Sequence, residues 1–179
     1  MAEIEELDAS GAAAALEDLA AMLRACVLDG ASIGFVQPFT LDDARAFWRE
    51  RVIPGVARRE RRLLVARDDG RILGTVQLDL ATMPNQRHRA EVSKLMVHPN
   101  GRRRGVARAL MERIEPIARE EGRWLLTLDT RSGDAAGPLY LSLGFEVAGS
   151  IPMYAHAPET ERYDATTYMF KLLERGPVG

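Results

Sequence analysis

A run of arginines at the start of a predicted helix is the part of this sequence best suited to chemistry. The helix follows the apolar strand Leu95-Met96-Val97 and a turn that contains Gly101 and Gly105. The first turn of a helix carries backbone N–H groups without internal partners and a partial positive charge, and this geometry binds phosphate. The same turn holds four cations: Arg102, Arg103, Arg104 and Arg108. The segment therefore predicts either a pyrophosphate cradle or an ordinary strand-to-helix connection with solvated arginines.

Two common phosphate-binding motifs do not fit this segment. A Walker A loop ends in Gly-Lys-Ser or Gly-Lys-Thr, which the segment lacks. A dinucleotide fingerprint needs three glycines at fixed offsets, and only Gly101 and Gly105 are present. The small residues Gly105 and Ala107 nevertheless permit a large anion to approach the backbone closely.

The pattern Arg102-x-x-Gly105-x-Ala107, directly after an apolar strand, resembles the acetyl-coenzyme A motif of the GNAT N-acetyltransferase superfamily. Downstream, Leu139-Tyr140-x-x-x-Gly144-Phe145 is similar to a second hallmark of that family, a short helix with a tyrosine before the final hairpin. The resemblance covers residues 60–172 and implies an acetyl-CoA-dependent N-acetyltransferase. Three segments also resemble the tabtoxin-resistance-like branch of the family: residues 84–92, 128–130 and 149–154.

The resemblance implies how the acetyl donor is held. The pantetheine arm pairs with the backbone of Leu95, Met96 and Val97, and the Leu95 N–H lies near the acetyl carbonyl, where it stabilises an oxyanion. The backbone of residues 102–108 holds the pyrophosphate. Besides the four arginines, this cradle contains Gly105, Val106 and Ala107. No metal is expected, because the three histidines and the single cysteine lack metal-ligand spacing.

Glu91 is a candidate general base. The resemblance implies this role for a glutamate eleven residues before Arg102, and the alternative is a polar residue at a strand entrance. A base is needed because an alkylammonium with a pKa of about 10.4 is almost fully protonated at neutral pH. Strand alternation places Glu91 on one face of the strand, together with Ser93, Leu95 and Val97.

Tyr140 and Asp129 are the other candidate catalytic residues. The resemblance implies that Tyr140 donates a hydrogen bond to the departing coenzyme A sulfur, and the alternative is a packed helix tyrosine. A thiol has a pKa of about 8.5 and a tyrosine about 10, so stabilisation of a thiolate by a hydrogen bond competes with full proton transfer. Asp129, at the end of its strand, faces the cleft. There it binds the substrate ammonium or acts as a base through water, or else it caps a turn.

The surroundings of these residues give further expectations. Many family members have an asparagine seven residues before the tyrosine, and its side chain contacts coenzyme A. This sequence has Gly133 at that position, so the usual asparagine contact is not expected here. Asp134 is a candidate cap of the following helix. In a polar loop, Arg87 or Arg89 is a candidate ligand for a substrate carboxylate and His88 a candidate proton shuttle, and the alternative is a solvated loop.

Composition excludes several classes of protein. The chain has 179 residues with 24 basic and 26 acidic side chains, a balance that argues against nucleic-acid or anionic-membrane binding. Two of the basic residues are lysines, Lys94 and Lys171, and the other 22 are arginines. Codon bias accounts for most of this skew. The acidic N-terminus does not read as a secretory signal, and no apolar run approaches the ~20 residues of a membrane helix.

Length and cysteine content bound the organisation of the chain. With 46% apolar residues and no composition break, residues 1–179 are predicted to form a single domain. Cys26 has no partner for an internal disulfide, which fits a reducing cytoplasm. The expected partner is a small-molecule amine, and the chain is expected to be a monomer or a homodimer.

Apolar spacing predicts the elements that position the candidate residues. The predicted helices cover residues 12–28, a segment that begins after the N-cap Thr40 and is interrupted at Pro54-Gly55, residues 104–121 and residues 135–143. The predicted strands cover residues 4–7, 63–66, 72–80, 91–97, 124–128, 145–151 and 167–172. This order predicts an α/β or α+β domain. The resemblance implies the GNAT fold, a mixed, mostly antiparallel sheet with splayed strands and about four flanking helices.

Together these features predict direct transfer of an acetyl group from acetyl-CoA to a primary amine of a small molecule, amino-acid-like or resembling a toxin or antibiotic. Cys26 is far in sequence from the cleft elements, so a covalent acetyl-enzyme is not expected. One alternative is a non-catalytic domain that senses acyl-CoA, against which Glu91 and Tyr140 argue. Another is phosphate or RNA binding through residues 102–104, which lack the interleaved aromatic residues of single-strand binders.

Overall fold

Seven strands and six α-helices make up residues 2–174, the part of the chain that the computed structural model describes. The strands are β1 (Glu3–Leu7), β2 (Arg61–Asp68), β3 (Arg71–Leu80), β4 (Arg89–Val97), β5 (Leu125–Arg131), β6 (Glu146–His156) and β7 (Tyr163–Leu172). The helices are α1 (Ala9–Ala14), α2 (Leu16–Leu28), α3 (Leu41–Phe47), α4 (Ile53–Ala57), α5 (Val106–Glu120) and α6 (Ala136–Ser142). None of the helices in this part of the chain has the length and apolarity needed to cross a membrane.

The seven strands form one sheet in the order β1-β2-β3-β4-β5-β7-β6. All neighbouring strands are antiparallel except β4 and β5, which run parallel. The predicted mixed, mostly antiparallel sheet is therefore confirmed. Strands β6 and β7 are longer than predicted, because their pairing continues to Ala155 and Asp164 across two register shifts that hide the alternation.

Helices α1 to α4 cover one face of the sheet. Trp48, Leu19 and Leu23 are fully buried there and form the centre of one core. The single helix predicted over residues 12–28 is in fact two helices, α1 and α2, which meet at Ala15, where ψ is 9°. Asp8 accepts a hydrogen bond from the Gly11 N–H and starts α1 earlier than apolar spacing indicates.

The sequence predicts that Pro54-Gly55 either interrupts the second helix or separates it from another helical turn, and in the structure both residues lie inside the helical turn α4. Thr40 and Asp43 form the predicted capping box at the start of α3. A π-helical turn, Trp48–Val52, then connects α3 to α4. Because Pro54 has no backbone N–H, it cannot close the regular α-helical hydrogen bond, and the chain changes its helical pitch before Pro54 instead of leaving the helix.

Helix α5 covers the other face. Its predicted apolar stripe is buried, and it packs with β2, β3 and β4 in a second core: Val106, Leu110, Ile114 and Ile117. The helix begins two residues later than predicted because Gly105 has φ +78 and stands outside it as the N-cap. Gly122, with φ +67, follows its end.

Gly74 in β3 sets the distance between the sheet and α5. A Cβ atom at this position would lie 2.9 Å from both the Met96 carbonyl oxygen and the Val106 Cγ1, and 3.2 Å from the Leu110 Cδ1. Carbon atoms attract one another best at about 3.5–4.0 Å, so these contacts would be repulsive. The Met96 oxygen is a backbone atom of β4 and cannot rotate away. A side chain at residue 74 would therefore push β4 or α5 outward.

We expect Gly74→Ala to lower the free energy of unfolding by about 1–3 kcal/mol, because the added methyl group overpacks this site. Urea unfolding followed by circular dichroism measures the change. Gly149→Ala in β6 is the matched control, since a Cβ atom there meets nothing within 4 Å. Its free energy of unfolding should change by less than about 0.5 kcal/mol. If Gly74→Ala were as stable as the parent chain, the close packing of α5 on β3 and β4 would be wrong.

Candidate active site

The sheet opens between β4 and β5. Among the described residues, these parallel strands pair only where residues 89–91 lie beside residues 125–127. Strand β4 continues to Val97 and β5 to Arg131, so backbone N–H and C=O groups of both strands face a gap instead of each other. Backbone groups exposed in this way can pair with an added strand or an extended ligand.

A cavity of about 810 Å³ fills the gap, a volume typical of a cofactor or small-molecule site. Its walls come from β4, β5, the start of α5, α6 and the loop after α2. Twelve of the thirteen predicted site residues line it: Glu91, Leu95, Met96, Val97, Arg102, Arg103, Gly105, Val106, Ala107, Arg108, Asp129 and Tyr140. Arg104 does not. The fold thus brings together residues that are up to 49 positions apart in the sequence.

A β-bulge in β4 controls which way the side chains of this strand face. Thr75 of β3 pairs with Met96, and Gln77 pairs with Ser93, so β4 has one residue more than β3 across this interval. Lys94 lies in the bulge with a left-handed φ of +49. An extra residue of this kind reverses the alternation of the residues that follow it.

The predicted common face of Glu91, Ser93, Leu95 and Val97 is therefore wrong. Leu95 and Val97 pack against the core on the α5 side of the sheet. Glu91 and Ser93 line a smaller cavity on the opposite side, beneath the helices α1 to α4. Strand alternation cannot reveal a bulge, because the bulge is an irregularity of the backbone.

The start of α5 offers backbone donors to a ligand. No side chain caps its first turn, so the N–H groups of that turn have no internal partner. A Cβ atom at Gly105 would meet nothing within 4 Å, which shows that the space in front of the turn is open. The glycine is needed here for its positive φ.

The four arginines at this turn are not equivalent. Arg102 pairs with Asp29 at 2.5 Å, and Arg108 donates to the Ser142 Oγ at 2.7 Å. Arg104 pairs with Asp68 at 2.5 Å, and this contact holds its guanidinium outside the cavity. Arg103, with φ +59, has no hydrogen bond or ion pair within residues 2–174. Arg103 is therefore the guanidinium of this turn that is most available to an anionic ligand.

Tyr140 lies on α6 and is 6% exposed at the wall of the larger cavity. Its ring packs edge-on against Phe145, with centroids 5.9 Å apart. Burial, helped by the charges of Asp129 and Asp134, raises the pKa of the phenol above its ordinary value. A raised pKa makes proton transfer to a thiolate still less favourable. The hydroxyl is therefore suited to donate a hydrogen bond rather than to act as a general acid.

Glu91 lines both cavities and so stands at their junction. Burial raises the pKa of its carboxyl above the ordinary value, and the negative charges of Asp79 and Asp129 add to this effect. Arg89 lies 4.0 Å from the carboxylate and opposes the shift. Since a carboxylate with a raised pKa is a stronger base, Glu91 is suited to accept a proton from an amine.

Asp129 lies within β5 rather than at its end, because the strand continues to Arg131. Its Oδ2 accepts a hydrogen bond of 2.9 Å from the Thr166 Oγ1 on β7, so the carboxylate does not cap a turn. Asp129 lines the larger cavity but not the smaller one. The negative charge of Asp129 adds to the raised pKa of Glu91, so Asp129 affects the site through Glu91.

The smaller cavity, of about 370 Å³, is not evident from the sequence. Phe35 and Phe47 form an apolar wall, and Asp79 lies on the polar side. The Asp79 Oδ2 accepts a hydrogen bond of 2.5 Å from the Ser93 Oγ, and its other oxygen pairs with Arg61. The residues that line this cavity come from five separate segments, the loop after α2, α3 with the turn that follows it, β2, β3 and β4, which no local pattern connects. The available signal was Asp79 itself, a charged residue between Leu78 and Leu80.

Cys26, although far in sequence from the cleft elements, reaches the larger cavity, so its distance in sequence does not keep it out of the site. Helix α2 packs against β4, and the Cys26 thiol donates to the Val97 carbonyl oxygen at 3.5 Å. Burial raises the pKa of the thiol to about 11. The neutral thiol is a poor nucleophile, which argues against an acetyl-cysteine for a different reason than sequence distance.

Neither Arg87 nor Arg89 lines either cavity. Arg89 donates to the Gln86 Oε1 at 2.8 Å, which engages its guanidinium within the loop. His88 stacks on Trp124 with ring centroids 4.6 Å apart. The structure therefore favours a packed polar loop over the predicted carboxylate ligand and proton shuttle.

Comparisons with known proteins agree with this geometry. The acetyltransferase (GNAT) domain family matches residues 59–147. An uncharacterized N-acetyltransferase from Azospirillum brasilense is 33% identical over 126 residues, which cover 69% of this chain and 72% of the relative. The chain therefore belongs to the GNAT acetyltransferase family, whose members take the acetyl group from acetyl-CoA.

Solved structures show the same fold over nearly the whole chain. A ribosomal-protein-alanine N-acetyltransferase from Brucella melitensis has a TM-score of 0.77 at 24% identity, and the match covers 96% of this chain and 99% of that one. A putative acetyltransferase from Salmonella typhimurium, solved with its cofactor acetyl-CoA, has a TM-score of 0.76 at 23% identity, with 99% and 96% covered. At these identities the likeness concerns the fold and not the acceptor.

Proposed function

We propose that this chain transfers an acetyl group from acetyl-CoA directly to the primary amine of a small molecule, amino-acid-like or resembling a toxin or antibiotic. The position of β4 carries the proposal. Its free edge lines a cavity of about 810 Å³, and Glu91 on the same strand opens into an adjoining cavity of about 370 Å³. Donor and acceptor can meet at such a strand in one ternary complex. The resemblance to the tabtoxin-resistance-like branch supports a small acceptor.

The residues of the larger cavity fit acetyl-CoA. The uncapped first turn of α5 and the unpaired guanidinium of Arg103 would hold the diphosphate. The free edge of β4 at residues 95–97 would pair with the amide groups of the pantetheine arm, as a strand pairs with a neighbour. Among the described residues there is no group of three or more histidine, cysteine or acidic side chains that could hold a metal ion.

Acetyl-CoA, when bound, supplies an acetyl group activated as a thioester. Glu91 then accepts the proton that the acceptor ammonium must lose before its nitrogen can attack. The Leu95 N–H donates a hydrogen bond to the oxygen on which negative charge develops. The C–S bond breaks, and the sulfur departs as a thiolate to which the Tyr140 hydroxyl donates a hydrogen bond. The second proton of the attacking nitrogen neutralises this thiolate, so that free coenzyme A leaves as the thiol. Each of the three protein groups already lies on the wall of one of the two cavities.

We further propose that residues 1–179 form one acetyltransferase domain that works in a reducing cytoplasm. The sheet is continuous from β1 to β7, and both of its cores draw on elements from the first and second halves of the described chain. The buried free thiol of Cys26 is compatible with such a compartment.

We expect acetyl-CoA at about one hundred times its Kd to raise the melting temperature by roughly 5–10 °C, because binding then adds about 2.7 kcal/mol. Addition of an acceptor amine should then release free coenzyme A. Scanning fluorimetry and a thiol reagent measure the two effects. No stabilisation by acetyl-CoA would contradict the proposed function. Stabilisation without turnover on any amine would favour a non-catalytic acyl-CoA sensor.

The same two assays on Tyr140→Phe separate catalysis from binding. We expect kcat to fall about 10- to 100-fold, the usual effect of losing a hydrogen bond to a charged group, while the Kd for acetyl-CoA stays within about twofold. Tyr163→Phe is the matched control, because Tyr163 is 54% exposed and lines neither cavity. Equal losses of binding and turnover in Tyr140→Phe would make Tyr140 a structural residue.

We expect kcat/KM to decrease as the pH falls through the pKa of Glu91, because only the deprotonated carboxylate accepts a proton. This pKa lies above the ordinary glutamate value, so the loss begins at a higher pH than for an exposed carboxyl. Glu91→Gln should lower kcat/KM about 100- to 10,000-fold and remove this acidic limb from the pH profile. Glu146→Gln, on the exposed strand β6, serves as the control. An unchanged acidic limb in Glu91→Gln would assign the base elsewhere.

A further inference from the structure

Lys94 is a charged residue of the site that the proposed acetyl transfer does not use. It occupies the β4 bulge and lines both cavities. It is also one of only two lysines in a chain with 22 arginines. A bias towards arginine works against lysine at every position, so a lysine that remains indicates a local requirement for this side chain.

The other lysine, Lys171, shows such a requirement. Its ammonium pairs with Glu115 and donates to the Leu143 carbonyl oxygen at 2.6 Å. Lys94 differs, because within residues 2–174 its ammonium has neither a hydrogen bond nor an ion pair. Burial lowers the pKa of this ammonium, and the negative charges of Asp129, Asp79 and Glu91 oppose the shift without reaching ion-pair distance. A partly buried ammonium with no direct contact to an anion is costly, and an anionic ligand would supply that contact.

The charged groups of the smaller cavity differ in whether other side chains already engage them. Asp79 is already engaged by Arg61 and Ser93. Glu91 has only the distant Arg89 guanidinium, 4.0 Å away, as a partner, and like Lys94 it lines both cavities, so it is the acidic group most open to a ligand. Lys94 is the basic group left for a ligand, and no ion pair joins it to a carboxylate among the described residues.

We propose that the Lys94 ammonium binds an anionic group of the acceptor, so that the chain acetylates amines that also carry a carboxylate or a comparable anion. This inference rests on the proposed acetyl transfer. Glu91 receives the amine end of the acceptor at the junction of the cavities, and Lys94 receives the anionic end. The rings of Phe35 and Phe47 contact the carbon frame between them. Arg51, exposed at the rim of the cavity, adds a second cation.

The space around Lys94 explains why a lysine is kept there. A Cβ atom on Gly34, in the loop after α2, would lie 3.5 Å from the Lys94 Nζ, so the ammonium rests close to the glycine backbone. An ammonium is a compact point charge, whereas a guanidinium is a broad planar group. An arginine at residue 94 would crowd this loop and fill the cavity that the acceptor needs.

Paired acceptors that differ only in one charge test the proposal. The panel consists of the common L-amino acids and the corresponding L-amino acid amides, assayed for release of coenzyme A. The parent chain should prefer the acids. Lys94→Met, which keeps the length of the side chain but removes its charge, should lower the acid-to-amide ratio of kcat/KM about 10- to 100-fold. Lys94→Arg restores the charge but crowds the loop at Gly34, so it should lower kcat/KM for both acceptors while it recovers part of the acid-to-amide ratio.

Arg113→Met is the matched control. Arg113 is exposed on α5 and lines neither cavity. The substitution removes one positive charge, as Lys94→Met does. Its acid-to-amide ratio should equal that of the parent chain. An unchanged ratio in Lys94→Met, or a parent chain that acetylates amides as readily as acids, would overturn the anion site.

A second measurement does not depend on turnover. Because the chain has two lysines, labelling with ¹³C-lysine gives two side-chain sets of NMR signals, and Lys94→Met assigns one of them. In the coenzyme A-loaded protein, a pool of L-amino acids should shift the Lys94 signals while the pool of amides does not, with Lys171 as the internal reference. Equal responses to both pools, or no response to the acids, would contradict the proposal. If no amine released coenzyme A, the proposed function would fail. The NMR shifts of Lys94 would still test whether it binds an anion.

Discussion

The parting of β4 from β5 after three paired residues is the constraint on which the rest of the structure depends. Backbone N–H and C=O groups that leave a ladder need other partners. The sheet tolerates the gap because each strand keeps its other neighbour, β3 for β4 and β7 for β5. Two separate cores, one on each face, then hold the strands in place. The gap between β4 and β5 therefore follows from the strand order. It leaves backbone N–H and C=O groups of β4 unpaired, and an extended ligand could bind them.

The bulge at Lys94 divides the strand into two functional parts. Before it, Glu91 and Ser93 face the smaller cavity, and after it Leu95 packs towards α5. A left-handed non-glycine residue costs about 1–2 kcal/mol, and such strain clusters at functional sites. Without the extra residue, Leu95 would share the face of Glu91 and extend towards the smaller cavity. The bulge therefore separates Glu91 from the apolar side chains while leaving both on one strand.

Local signals predicted the parts of the site that are built from consecutive residues. The start of α5 follows from a glycine turn after an apolar strand, and Tyr140 follows from a short helix that ends at Gly144. Long-range contacts decided what the sequence did not show. Arg104 pairs with Asp68 on β2 and therefore does not line the larger cavity. Cys26 lines that cavity because α2 packs against β4. The smaller cavity needs five segments at once, so no spacing within one of them reveals it.

Amide-resolved hydrogen exchange with and without acetyl-CoA tests the central claim most directly, since the claim concerns backbone groups. The account predicts that saturating acetyl-CoA slows exchange at Leu95, Met96 and Val97 and at the first turn of α5, residues 105–107. Residues 146–151 of the exposed edge strand β6, which do not line the cavity, should be unaffected. If exchange slowed elsewhere while the amides of β4 stayed unchanged, the free edge of β4 would not be the donor site, and the account would be wrong.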